Sequence, residues 1–187
     1  MALDLRAAVA PHLDARPSVP EGGVPAGVLV PVIEGEEPSL VFTVRADTLS
    51  HHGGEVSFPG GRPHDEDPDL RATALRETQE ELGIDPGSVE VLGALPPVPT
   101  FVSGFVVVPF VGMLPELPAL RPNPAEIAEV LEIPVRTLLS VEREVEWLIE
   151  GRTWTGHVFE HDGHVIWGAT ARMLKTFLDA IREEGWE

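Results

Sequence analysis

The sequence predicts a mixed β-sheet held between helices, an α+β arrangement within the broad α/β class, as one domain over residues 1–187. Three observations predict it. Apolar, β-branched runs recur at residues 26–33, 40–44 and 106–114, and read as strands. Residues 67–82 and 169–181 carry helical signatures. The two kinds of segment interleave irregularly, with no repeat, low-complexity tract or linker.

Each element follows in order. Residues 2–13 have helical spacing at Leu3, Leu5, Val9 and Leu13, and Pro17, Pro20 and Gly22 end it, so residues 1–24 form an N-terminal helical extension. A turn at residues 34–38 separates the first two strands. Residues 55–58 alternate polar and apolar, then stop at Pro59-Gly60-Gly61. Asp67 as cap and Pro68 at the first helical position start a helix that runs to about Leu82, with Gly83 as its stop. Residues 89–95 and 106–114 are strands joined by a proline-rich loop. Residues 127–133 read as a strand or mixed segment, and 135–140 as a short helix. Residues 145–149 and 155–159 are strands. Asp162-Gly163 marks a hairpin turn before a strand at 164–167, and residues 169–181 close the chain as an amphipathic helix.

Composition narrows the function classes. There are 31 Asp and Glu against 13 Lys and Arg, a net charge of −18. Such a surface repels nucleic acid and anionic membrane, so neither is an expected partner. A polyanionic small substrate needs its charge cancelled locally, by metal ions and a few placed arginines. The chain has no cysteine, which removes disulfides, thiolate metal sites and cysteine nucleophiles. No apolar run is long enough to span a bilayer, and the first residues lack a basic start followed by an apolar block, so the cytoplasm is the expected location.

The position of the carboxylates is more informative than their number. Glu77, Glu80 and Glu81 stand at i, i+3 and i+4, which sets them on one helix face with Cβ atoms about 5–6 Å apart. Like charges at this spacing cost a helix a few tenths of a kcal/mol per pair, roughly. Three carboxylates on adjoining turns can hold hard divalent cations such as Mg²⁺ or Mn²⁺. The competing reading is a solvated acidic face. Arg76, which can steady an acid across a turn, and the glycine turn upstream at Phe58-Pro59-Gly60-Gly61 favour the metal reading.

Gly61 followed by Arg76-Glu77-Thr78-Gln79-Glu80-Glu81-Leu82-Gly83-Ile84 resembles the Nudix box, G-x5-E-x7-R-E-U-x-E-E-x-G-U, where U is aliphatic. The R-E-x-x-E-E-x-G core is complete. One extra residue separates Gly61 from Arg76, Pro68 occupies the place of the first box glutamate with Asp67 or Glu66 as its substitute, and Thr78 replaces an aliphatic residue. The segment from Val41 to Gly61 is similar to the approach to the box in the coenzyme A diphosphatase branch, with Glu55 for the usual Gln and Ala46 for Ser. Segments 95–105, 123–130 and 166–171 are similar to later signatures of that branch.

The resemblance implies an α/β/α sandwich and metal-dependent hydrolysis of the diphosphate of coenzyme A, giving 3′,5′-ADP and 4′-phosphopantetheine. It implies Glu77, Glu80, Glu81 and the Gly60 carbonyl as metal ligands. Arg76 completes the catalytic motif. The general base is Glu77 or a glutamate outside the box, Glu126 or Glu129. Arg45 is the first candidate for a phosphate contact and Arg62 the second, with Gly61 and Ser103 also at the substrate. Dimerisation occurs in such relatives, and a homodimer stays open, although no residue pattern demands it. Two other functions compete: hydrolysis of another nucleoside diphosphate-linked substrate such as ADP-ribose or NADH, and nucleotide sensing without turnover. A sensing module is expected to lose box carboxylates, and this chain keeps all three.

Other signals carry less. His51 and His52 read as structural, and His157, His161 and His164 as exposed hairpin residues without companion ligands. Trp147, Trp154, Trp167 and Trp186 read as core or rim residues rather than a stacking platform. Ser57 and Ser103 lack His and Asp partners for a nucleophilic triad.

Overall fold

Strand β1 (Val24–Ile33) lies at the centre of a computed structural model that describes residues 4–46, 54–100, 104–149 and 152–187. Its parallel partner is β7 (Phe105–Leu114), in register from Val24↔Phe105 to Ile33↔Leu114. Both strands read as near-continuous apolar runs because both faces of this pair are covered. Alternate residues serve opposite layers: Val28, Val30 and Val32 join one core cluster, and Leu29 and Ile33 the other.

Around this pair are β2 (Ser39–Arg45), β3 (Val56–Ser57), β4 (Gly60–Gly61), β5 (Glu90–Ala94), β6 (Val98–Pro99) and β8 (Ile127–Pro134). The order is β3-β2-β1-β7-β5, with β4 on β1, β6 on β7 and β8 on β2. One face carries α2 (Leu70–Leu82), whose Ala74 and Leu82 pack with Leu29, Val108 and Phe110. On the other face lie α1 (Leu5–Val9) and α4 (Gly168–Glu183). Leu174, Phe177, Leu178 and Ile181 of α4 are fully buried there, each worth about 1.5–3 kcal/mol of apolar burial. A mixed sheet between helices is the expected class. A second sheet, order β11-β10-β9, is built from β9 (Glu142–Ile149), β10 (Arg152–His161) and β11 (His164–Ile166), reached through α3 (Val135–Val141).

β1 changes partner halfway along its length. It pairs with β2 at Val32↔Leu40 and Ile33↔Ser39, and with β4 at Gly27↔Gly61 and Val28↔Gly60. The rest of β2 pairs with β8 and β3. The sheet therefore forks, and a cleft of about 440 Å³ opens beside the fork, with Val28, Arg45, Ser57, Gly60 and Val107 on its walls.

Several boundaries differ from expectation, β10 among them, which starts at Arg152 rather than residue 155. α1 stops at Val9 and gives way to a single 3-10 turn at Ala10–His12, where Pro11 supplies no N–H for a further α turn. α2 begins at Leu70 and is capped by Asp69, which accepts from the Ala72 N–H at 2.8 Å, so Asp67 is not the cap and Pro68 is not the first helical residue. β9 starts directly after α3, earlier than residue 145. The Asp162-Gly163 turn forms as read, with φ of 47° and 82° and His161 opposite His164.

Candidate active site

The helix and the glycine turn are pressed together by two close approaches, one against backbone and one against a side-chain end. A Cβ on Gly27 of β1 would lie 2.2 Å from the Leu70 carbonyl oxygen, so α2 starts directly on that strand. A Cβ on Gly61 would lie 2.6 Å from the Glu77 carboxylate carbon, so Glu77 rests on the turn. At the far end Gly83 takes φ 74° and returns its N–H to the Gln79 carbonyl at 2.8 Å, ending α2 as read.

Arg76 organises the exposed side of the site. Its Nε donates to Asp67 Oδ1 at 3.0 Å and its Nη2 to Asp67 Oδ2 at 3.0 Å. Its Nη1 donates to Glu77 Oε1 at 2.9 Å and to Glu80 Oε2 at 3.1 Å, and Nη2 also reaches the Arg62 carbonyl at 3.0 Å. Asp67 accepts further from the Thr73 hydroxyl at 2.9 Å and the His64 N–H at 2.9 Å. The Arg76 guanidinium and then the His64 N–H hold the Asp67 carboxyl well below the usual carboxylate range, and Asp67 in turn raises Arg76. Of Asp67 and Glu66, the two acids expected as substitutes for the first box glutamate, Asp67 is the one bonded to Arg76.

The three glutamates form a graded series. Glu80 is 53% exposed at the rim, Glu77 is 16% exposed, and Glu81 is 3% exposed at the base. Glu81 Oε2 accepts from the Gly60 N–H at 3.3 Å. Burial, then repulsion from Glu77, pushes its carboxyl up to about 8; Arg45 and the Gly60 N–H act in the opposite direction, and Glu126 adds to the rise. Thr78, in the aliphatic place, is buried and returns its hydroxyl to the Ala74 carbonyl at 2.7 Å, which removes the cost of a buried polar group.

Glu126 reaches this centre through its loop. The Arg121 and Asn123 N–H groups bond the Leu82 and Glu81 carbonyls at 2.8 and 2.9 Å. The Ala46 N–H bonds the Glu126 carbonyl at 2.8 Å, and Asn123 Nδ2 donates to Glu126 Oε1 at 3.1 Å. The loop is therefore tied to the end of α2 and to the residue after Arg45. Glu129, the other base candidate, points instead to His164 Nε2 at 3.2 Å. Arg45 and Arg62 line the cleft, Arg62 stacking over the Phe105 ring at 4.7 Å. Ser103, His51 and His52 lie outside the described residues.

Among the described residues no three His, Asp or Glu side chains close into a ligand cluster. Arg76 draws Glu77 and Glu80 outward, while Gly60 holds Glu81. The donor chemistry nevertheless suits a hard cation: carboxylate oxygens beside a glycine backbone, one of them buried with a hydrogen bond from the Gly60 N–H and a like-charged neighbour. Sequence reasoning missed Gly27, Thr73 and Arg172, and read Trp167 as a core or rim residue without a place in the cleft. Only tertiary packing brings these to the site.

A forked mixed sheet with a carboxylate-bearing helix docked on a glycine turn defines a Nudix fold and box. Residues 23–154 match the NUDIX domain model, and the chain belongs to the Nudix hydrolase family. It is 40% identical over 167 residues to a protein of Cronobacter sakazakii named uncharacterized Nudix hydrolase NudL, covering 85% of this chain and 83% of that protein. Its counterpart of the same name from Photorhabdus laumondii is 38% identical over 159 residues, covering 84% of each. Two solved structures share the fold. The NUDIX domain of Shewanella oneidensis NrtR, complexed with ADP ribose, has a TM-score of 0.57 at 15% identity, covering 88% of this chain and 89% of that one. The MutT protein from Methanosarcina mazei has a TM-score of 0.57 at 14% identity, covering 91% and 100%. No described helix is long and apolar enough to cross a membrane.

Proposed function

We propose that the chain hydrolyses the diphosphate of coenzyme A or an acyl derivative, releasing 3′,5′-ADP and 4′-phosphopantetheine. The observation that carries the hydrolytic reading is Glu81, a buried carboxyl group held against Glu77 and the N–H of Gly60, a residue that also lines the arginine-bearing cleft. The coenzyme A choice rests on the segment from Val41 to Gly61.

Glu77, Glu80 and Glu81, with the Gly60 carbonyl, would hold Mg²⁺ or Mn²⁺. When bound, such an ion neutralises charge on the diphosphate and lowers the pKa of its water. The chain's own residues do the rest. Arg76 braces Glu77 and Glu80 against Asp67 through one oxygen of each. Arg45 and Arg62, with Gly61 and Ser103, orient the phosphates. Glu126 accepts the proton of the attacking water, since its loop anchors it beside Glu81 while leaving it outside the Arg76 network. Glu77 is the competing base.

The test is a substrate panel of coenzyme A, acyl derivatives, ADP-ribose and NADH with Mg²⁺ and Mn²⁺, read by product analysis. Faster turnover of ADP-ribose or NADH than of coenzyme A would overturn the substrate assignment. No turnover of any of them would overturn the enzyme assignment.

A further inference from the structure

The cleft has two unlike walls. One carries Arg45, Gly60, Gly61 and Arg62, the groups just assigned to the diphosphate. The other is built from the first turns of α4 and from β7, and is mainly apolar: Trp167, Ala169, Met173 and Phe105, with Thr170 and Arg172 beside them. Nothing in the hydrolytic chemistry needs that second wall.

Trp167 is unusual on it. Among the described residues the exposed large apolar side chains are Val19, Val24, Trp147, Leu148, Trp154, Val165 and Trp167, and of these Trp167 is the one lining the cleft. It is 50% exposed. Its support is rigid: Trp167 immediately precedes α4, whose Leu174, Phe177 and Leu178 are fully buried, and Arg172 Nη1 ties the helix to the Pro99 carbonyl at 2.7 Å. Arg62, 4.7 Å over the Phe105 ring, belongs to the diphosphate wall. An exposed indole on a fixed helix end, facing the cleft, suits a planar aromatic group better than a flexible chain. An indole presents two rigid torsions and a broad π face, and loses little entropy on contact.

We infer that Trp167 is the platform on which the nucleoside base of the substrate stacks, a specificity-determining contact remote from the bond that breaks. The inference rests on reading the site as one for nucleoside diphosphate-linked substrates. It separates the two ends of the substrate: the base goes to the α4 wall, the diphosphate to the glycine turn.

Binding to the full-length protein in Mg²⁺ decides it, with ADP as the probe and inorganic pyrophosphate as the base-free control, both measured by calorimetry. Trp167→Ala should weaken ADP at least tenfold, the scale of one lost base–aromatic stack, and leave pyrophosphate within twofold. Trp167→Phe should recover most of the ADP affinity, whereas Trp167→Leu, which keeps apolar bulk without a flat face, should not. ADP affinity within twofold of wild type in Trp167→Ala, equal weakening of both ligands, or full recovery by Leu would each overturn the assignment. Should the Ala variant fail to fold, the Phe and Leu pair carries the same contrast. Turnover is not the readout, so a wild type that binds ADP through Trp167 but cleaves no coenzyme A would defeat the proposed function and leave the platform standing.

Discussion

Glu81 and Asp67 are two acids fourteen residues apart whose environments push them in opposite directions. The folded Glu81 binds a proton more tightly than the unfolded chain does, so its contribution to stability is present below about 4.5 and fades as pH rises toward 8. The metal-free protein should therefore melt progressively lower across that window, and Glu81→Gln should flatten the trend; an unchanged slope in thermal melts would contradict it. Asp67 has the reverse sign. Its pairing with Arg76 stabilises above the ordinary carboxylate pKa of 3.8 and is lost as pH falls, so the difference between wild type and Asp67→Asn should shrink in acid. Two substitutions separate ligand from base. Glu80→Gln should reduce metal-dependent turnover by well over threefold, about 0.7 kcal/mol, with a smaller loss counting against a ligand role. Glu126→Gln should lower kcat by about 10²–10⁴-fold while KM and Mn²⁺ affinity hold steady, and a comparable fall in Mn²⁺ affinity would move Glu126 to the ligands. Arg45→Ala should raise KM for coenzyme A more than for its dephospho form; equal increases would mean that Arg45 does not sense the extra phosphate.

At the scale of elements, α2 depends on glycines at both its ends. Gly83→Ala should cost about 1–2 kcal/mol from the left-handed backbone alone, and the added methyl also meets Arg121 Cβ at 2.9 Å. Gly27→Ala should be worse for activity than for stability, because it lifts the start of α2 off β1 and with it the Glu77 contact to Gly61. Comparing melting temperature with kcat in this variant checks the point; a loss of stability with unchanged turnover would refute it. The elements were largely legible from sequence, since the β-branched runs, the Asp162-Gly163 turn and the α4 stripe are local signals. The start of α2 was misread for a physical reason. Asp67 and Asp69 are both competent caps, and only the distant Arg76 and Thr73 decide that Asp67 is drawn away. The box identified Glu77, Glu80 and Glu81 as a set, but their graded burial depends on the docking of Gly60 and Gly61, which spacing along the chain cannot express. Trp167 reads only as a core or rim residue because the cleft it borders is assembled from six separate stretches of sequence.

For the molecule as a whole, the net charge of −18 sets the conditions for function. An anionic substrate approaches against the long-range field, and the arginines and bound cations act only at short range. Raising ionic strength from about 0.05 to 0.15 M shortens the screening length toward 8 Å, so kcat/KM for an anionic substrate at saturating Mg²⁺ should rise rather than fall. A decrease would mean that local positive potential at the cleft, not the global charge, governs encounter.

The switch of partners along β1 has a further consequence. On the function proposed above, the half of that strand joined to β4 would serve the bond that breaks, while its other neighbour, β7, borders the wall assigned to the base. Substitutions on the β7 side should therefore alter what is accepted more than how it is cut.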